Sequence, residues 1–546
     1  MKDPYNEDIR RKAMETELEW DAEQAIRSRE SDRNAAVSRT EQKLPPERRT
    51  TPAPERRTSP EQRRPAPVRT APEPTSRQSR PTAARPAPQS GKPNWKGYAI
   101  LGGLALAAIA VIVGVIVLIA SLVSGGKNDV PVTTEPPIPS ETTEDPVAVA
   151  QRLVERADVL AAGYDYEAAI AVLREFGADW EQQSLLSEAK NRYDTESAKL
   201  VRWEDPTNIS HIFFRSLIVD TARAFDGDEE QDSYNQYYVT VAEFRSILQH
   251  LYDRGFVLVS IHDTVKLVTD ENGNSSYTAG DIYLPEGKTP IILSQDNVNY
   301  FEYTVDGDGD RVADAQGDGF AYRLMVGADG KPTAAYVDAS GQTLYGEYDI
   351  VPIVESFIRE HPDFSYRGAR GLLAVSGYEG VFGYHTHAEW KETLGEDAYL
   401  AEVREAQALV ACLKECGWEI ASHSYADINY SAASASSIKE DVQKWETQVQ
   451  PIVGDTDVFM YPYGGDIGDV TSYSGEKYQA LYDAGYRFFC NMESVPWMQI
   501  RDDYVRQGRR AVNGYRMWSQ SDKLSDLFDA AQVFDSTRPT PVPDIY

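Results

Sequence analysis

Cysteine is scarce in this chain, with three residues in 546: Cys412, Cys416 and Cys490. An odd set of this kind cannot build the disulfide framework of a small secreted domain. Cys412 and Cys416 stand one helical turn apart without the further ligands a zinc site needs, so all three read as small buried hydrophobes. Histidine is also sparse, with seven residues, none of them beyond His423. Basic residues run short after residue 100, where 34 Lys+Arg face 71 Asp+Glu, whereas residues 1–100 hold 21 against 15. So acidic a surface repels nucleic acid and anionic lipid headgroups, and a neutral or cationic glycan is the compatible partner.

Charge is missing altogether from Tyr98 to Val123, 26 residues rich in Ala, Leu, Ile and Val. At about 1.5 Å per residue this run is long enough to span a hydrocarbon core of about 30 Å, and a single transmembrane helix over 98–123 is expected. Arg80, Arg85, Lys92 and Lys96 precede it with no acid among them, while acids dominate the flank that follows. By the positive-inside rule the N-terminus is cytoplasmic and the C-terminal part lies outside the plasma membrane. Residues 1–97 turn from a polar opening into a Pro, Arg, Thr and Ser-rich segment that reads as a disordered cytoplasmic tail, with room for an unknown protein partner. Residues 124–145 form a Pro/Thr linker.

Residues 146–203 show helical periodicity, and "LVERADVLAAGYDYEAAIAVLREFG" resembles one tetratricopeptide-like helix pair. One unit cannot form a solenoid, so a helical stalk or cap is expected. From 205 to 546 short apolar runs alternate with helical stretches: "HIFFRSLIVD", "FVLVSI", "TPIILSQD", "RGLLAVSG", "WEIASHS", "DVFMYPYG", "YRFFCNM" and "YVRQGRRAV". Buried strands separated by helices argue for an α/β domain on a parallel sheet, open or closed into a barrel. In a barrel the chemistry sits at the C-terminal strand ends. That is where Asp296 and Asn297, His423 and Asp427, and the run Tyr461 to Gly464 fall.

With these three sites in this order, and with "GWEIASHSYAD" after a helix, residues 205–520 resemble the polysaccharide deacetylase family, that of the NodB homology domain. The resemblance implies a distorted (β/α) barrel and metal-dependent hydrolysis of acetyl groups on cell-wall or capsular polysaccharide. It also implies roles: Asp296 as the general base, Asn297, His423 and Asp427 as the metal ligands, and Tyr461, Pro462 and Tyr463 as a substrate wall. Such hydrolysis needs a Lewis acid to polarise the carbonyl, a base for the water and an acid for the leaving group.

The chain departs from the family's motifs. Asn297 stands where the family has a carboxylate, Asp427 where it has a second imidazole, Met460 where it has an arginine, and no histidine follows to serve as the acid. The formal charge of the ligand set is nevertheless kept at −1, since the acid missing at 297 reappears at 427. Such donors suit Mn²⁺ or Mg²⁺ at least as well as Zn²⁺. The plainer alternative is that Asp427 caps the following helix and His423 is an ordinary semi-buried histidine. A second functional reading follows, a catalytically impaired relative that binds glycan as a cell-envelope sensor or scaffold.

Four other groups could carry chemistry. His385 and His387 could supply ligands or the missing acid, or be a loop feature. Asp306, Asp308 and Asp310 open like a calcium loop, but Arg311 and Gly317 break the EF-hand pattern, leaving a looser Ca²⁺ loop through these and Asp314, or an acidic turn. Arg506, Arg509, Arg510 and Arg516 could replace the arginine missing at Met460 or pair with surface carboxylates. Tyr300, Phe301, Tyr303, Tyr461, Tyr463 and Trp497 near the expected mouth would suit stacking on sugar rings.

Overall fold

A computed structural model describes residues 144–307, 311–468 and 470–544. The expected cytoplasmic tail, the 98–123 span and the linker up to residue 143 lie outside the described residues, as do Asp308 and Asp310. Among the described residues no helix is long and apolar enough to cross a membrane. All the described residues fall within one compact unit.

Three helices come first: α1 (Pro146–Ala162), α2 (Tyr166–Arg174) and α3 (Ser184–Ser197). Asp145 accepts from Val147 N with proline at the first helical turn, and Asp165 accepts from Ala168 N, so both of the first two starts are capped by carboxylates. Leu153, Ala157, Leu173, Leu186 and Tyr193 form their shared core. The tip of the α1–α2 pair rests on the barrel domain, where the Tyr164 hydroxyl donates to Asp363 O at 3.0 Å and Arg367 N donates to Gly163 O at 2.8 Å.

Seven strands then close into a barrel: β1 (Ser210–Phe214), β2 (Thr289–Gln295), β3 (Leu372–Val375), β4 (Glu419–Ser422), β5 (Val458–Met460), β6 (Phe488–Met492) and β7 (Val505–Ala511). Each is parallel to its neighbours, and β7 pairs back to β1 through Arg509↔His211. The α/β barrel implied by the sequence is thus present. Two seams are short: β2 meets β3 only at Leu372↔Ser294 and Leu373↔Gln295, and β4 meets β5 only at Ser422↔Phe459. The first half of β2 pairs instead with Phe256–Leu258, which turns that edge away from β3.

Alternation along the strands sorts the side chains. Ile292, Leu372, Ala374, Ala421, Val458, Met460, Phe488, Cys490 and Val505 fill one cluster inside the barrel. Ile212, Phe214, Ile291, Leu293, Leu373, Val375 and Ile420 face outward against the helices α4 (Val241–Asp253), α5 (Ile350–Glu360) and α6 (Glu396–Cys416). Thr240 and Glu243 form a capping box at the start of α4, and left-handed Gly417 closes α6. Cys412, Cys416 and Cys490 are all free. Between β2 and β3 a three-stranded antiparallel insertion, Ala321–Val326, Pro332–Val337 and Thr343–Gly346, lies outside the barrel.

Candidate active site

The inward positions of the barrel become polar towards the C-terminal strand ends. His211 lies between Gln507 Oε1 (3.1 Å from Nδ1) and Ser294 Oγ (2.9 Å from Nε2). Burial, with the nearby Arg509 charge, pushes its pKa down to about 3, so the ring is neutral. One step further up, Asp296 continues the inward parity of Ile292 and Ser294, and its backbone N–H donates to Phe214 O at 2.9 Å. Gln295 points the other way, donating to Asp349 Oδ2 at 2.9 Å, and Asp349 in turn caps α5 and takes Leu217 N at 3.1 Å. The end of β2 is therefore fixed from both faces.

Arg509 meets Asp296. Its guanidinium is 0% exposed, Nη1 donates to Asp296 Oδ1, and the same nitrogen lies 3.4 Å from Met460 Sδ. Burial alone raises a carboxyl pKa, but the Arg509 charge, with a further contribution from His423, outweighs it and holds Asp296 below the usual carboxylate range. Of the four arginines singled out above, Arg509 alone joins this carboxylate. Arg506 and Arg510 alternate outward to Asp466 (2.6 Å) and Asp526 (2.7 Å), and Arg516 lies on the helix Gly514–Ser519.

Asn297, Asp427 and Tyr463 have left-handed backbones, at φ 54°, 52° and 57°. Asn and Asp tolerate this region, a tyrosine less readily, and such positions gather at functional sites. The kinks bring all three side chains to one cavity of about 40 Å³, shared with Arg215, Asp296 and His423. Around it, His423 Nδ1 donates to Met460 O at 3.0 Å, which orients the ring and turns Nε2 towards Asp427. Nε2 stands 3.7 Å from Asp427 Oδ1, too far for a hydrogen bond. Asp427 Oδ1 and Asn297 Oδ1 are both buried without a hydrogen-bond partner, while the Tyr463 hydroxyl donates to Asp427 Oδ2 at 3.4 Å. Burial raises the Asp427 pKa, against the opposing charges of His423 and Arg215. Two buried acceptor oxygens with nothing to accept from, beside the His423 ring, are groups that could ligate a cation, and these residues fit a divalent metal. Among the described residues no three His, Cys, Asp or Glu side chains group as metal ligands, and here an amide is the third member.

The alternative role for Asp427 does not hold, because Ser434 caps the helix that follows, α7 (Ala435–Gln448). Of the expected substrate wall, Tyr463 lines the cavity and Pro462 is buried in the turn beneath it. Tyr461 is a correction: one residue past inward Met460, it faces out, fully buried beside Tyr430 and Phe459, with its hydroxyl on Tyr473 Oη at 3.1 Å. His385 and His387 do not line the cavity; one ring packs on Trp390 at 3.9 Å and the other lies 6.0 Å from Tyr425. Asp306 accepts from Arg311 N at 2.6 Å, and Asp314 from Gln316 N at 2.8 Å, as turn caps do. Tyr237, Met492, Val512 and Asn513, also in the cavity wall, carry no motif that would have singled them out.

No protein-family model matches the chain, and no curated protein does. Among solved structures, the chain is similar to the Streptococcus pyogenes deacetylase PplD in complex with acetate, at 12% identity and a TM-score of 0.30, covering 60% of this chain and 99% of that one. It is likewise similar to a de-N-acetylase from Aggregatibacter actinomycetemcomitans, at 13% identity and a TM-score of 0.30, covering 59% and 99%.

Proposed function

We infer that the chain is a polysaccharide deacetylase-like hydrolase, anchored by the 98–123 span and acting outside the plasma membrane on acetyl groups of cell-wall or capsular glycan. The observation that carries this reading is the meeting of an arginine-held carboxylate, Asp296, with two unsatisfied acceptors, Asn297 Oδ1 and Asp427 Oδ1, and the His423 ring around one small cavity. Those three residues would hold the metal. A divalent cation, Zn²⁺, Mn²⁺ or Mg²⁺, supplies Lewis acidity to the acyl carbonyl when bound.

The side chains divide the remaining work. Asp296 is kept ionised by Arg509 and takes the proton of the attacking water on the carboxylate oxygen that Arg509 leaves open. Met460 O fixes the His423 ring, and Tyr463 fixes one oxygen of Asp427. Water adds to the acyl carbon, the bond to the sugar nitrogen or oxygen breaks as the proton held on Asp296 passes to that atom, and acetate leaves. At about 10–15 Å³ per water, the cavity holds about three waters or an acetyl-sized group, so the sugar ring stays outside it.

The rest of the wall is mainly apolar, Phe213, Phe214, Met492, Ala511 and Val512 with Tyr237 and Asn513, and offers no histidine or further carboxyl as an acid for the leaving group. That favours a second reading, a glycan-binding relative without turnover. Acetate release from an acetylated glycan by the full-length protein separates the two. Hydrolysis lost on chelation and in Asp296→Asn supports the first reading; binding without acetate release supports the second.

A further inference from the structure

Beside the acyl cavity lies a second crevice of about 20 Å³ that shares Arg215, Asp296 and Asn297 with it. Its other wall is aromatic, with Tyr238, Tyr300, Phe301 and Phe320. Phe301 is only partly buried, as are Tyr303 and Tyr378 next to it. The Phe301 ring stacks on Tyr303 at 5.7 Å and 15° and meets Tyr378 edge-on at 5.8 Å. Three partly exposed aromatics in one patch are an unusual surface for so acidic a chain, and aromatic faces are what pyranose rings pack against.

The patch is held in place. Glu379 accepts from Glu302 N at 2.8 Å, Arg311 pairs with Glu302 at 2.8 and 3.0 Å, and the Arg311 guanidinium covers Trp390 at 3.8 Å. The Thr304 hydroxyl donates back to Phe301 O at 2.8 Å, and Tyr238 and Tyr303 bring their hydroxyls to 3.4 Å. Ser216 and Thr304 add a polar edge to the crevice. An aromatic face with a polar edge, adjoining a cavity too small for a sugar, has the form of a seat for the ring whose acyl group enters that cavity.

We propose that Phe301, supported by Tyr303 and Tyr378, is the sugar-binding platform of this site, stacking an uncharged pyranose of the glycan beside Asp296 and Asn297. This rests on the hydrolytic reading only for which substituent enters the cavity. The ring contact stands without it. The acidic balance of the chain selects neutral sugars over uronates or phosphorylated ones.

The test is calorimetric titration of the full-length protein with the N-acetylglucosamine pentamer, in the cold, for wild type, Phe301→Ala, Phe301→Leu, Phe301→Tyr and Tyr345→Ala. Tyr345 is 62% exposed on the three-stranded insertion and serves as the control. Both Phe301→Ala and Phe301→Leu are expected to bind about tenfold more weakly, with Phe301→Tyr and Tyr345→Ala unchanged and metal content unaltered throughout. Phe301→Leu keeps the volume, so a loss there identifies stacking and not a folding defect. Wild-type affinity in Phe301→Leu, or no pentamer binding by wild type, overturns the proposal. Phe301-dependent binding without acetate release leaves the platform standing and removes the hydrolytic reading; acetate release at the wild-type rate by Phe301→Ala does the reverse.

Discussion

Arg509 on β7 and Asp296 at the end of β2 are 213 positions apart in the chain and form one buried ion pair, with Met460 Sδ 3.4 Å from the same guanidinium nitrogen. Both charges are buried, the arginine 0% exposed and Asp296 6%, the carboxylate opening only onto the small cavity. Removing one partner of such a pair typically costs about 3–5 kcal/mol. Arg509→Met is expected to lose stability of that order in urea unfolding. Adding Met460→Arg places a guanidinium beside the same carboxylate from β5 and is expected to recover part of the loss. A double variant as unstable as Arg509→Met would show that the pair depends on the β7 origin of the arginine.

The two carboxylates of the site respond to pH with opposite signs. Asp296 is held below its ordinary range, so its contribution is present above the unfolded carboxylate pKa and is lost as pH falls through the lower folded value. Asp427 is raised by burial, so its ionisation opposes folding and stability falls as pH rises from the unfolded value towards the folded one. At neutral pH, in the presence of chelator, Asp427→Asn is therefore expected to raise the melting temperature and Asp296→Asn to lower it. Equal signs in thermal unfolding would contradict these environments.

The opposite end of the barrel holds a charged histidine. His262 lies between Glu419 (2.5 Å) and Asp457 (2.9 Å), at the starts of β4 and β5. Burial pulls its pKa down, but the bonds to Asp457 and Glu419 and their charges outweigh that and lift it to about 10. The stability it contributes is full below the unfolded value near 6.5 and is lost as pH rises towards 10. Wild type minus His262→Gln, measured from pH 6 to 10, is expected to shrink steadily; a flat difference would show that the histidine is not charged there.

The wall carrying Tyr237 and Tyr238 depends on the C-terminal segment. The side chains of Arg538 and Glu243 are each 0% exposed and bonded at 2.6 and 2.7 Å, and Arg538 also donates to Asn235 O at 3.0 Å and Tyr238 O at 2.5 Å. Arg538→Ala leaves Glu243 buried and unpaired and is expected to cost about 3–5 kcal/mol in chemical unfolding. A loss under about 1 kcal/mol, the range of an exposed pair, would contradict the burial.

All eight runs visible in the sequence contain strands, seven in the barrel and Phe256–Leu258 at its edge, because buried parallel strands are largely apolar on both faces, β7 with its Arg506, Gln507, Arg509 and Arg510 being the polar exception. The insertion over 321–346 is not legible in the sequence, since its two outer strands are half-exposed and none of the three carries such a run. At the site, Asp296, Asn297, His423, Asp427 and Tyr463 share one cavity, as the motif order implies. Two features were hidden. The partner of Asp296 comes from the last barrel strand, and no local spacing links Arg509 to it. Tyr461 belongs to the outer face because parity along β5 turns it away from the cavity, a consequence of strand register that motif matching overlooks.

The central claim is that Asn297, His423 and Asp427 hold a divalent cation. Elemental analysis of the purified full-length protein, before and after mild chelation, tests it most directly, with His423→Ala and Asp427→Ala alongside. About one metal per chain in wild type, removed by chelator and missing from both variants, is the expected result. Wild type without metal, or variants that retain it in full, would contradict the claim.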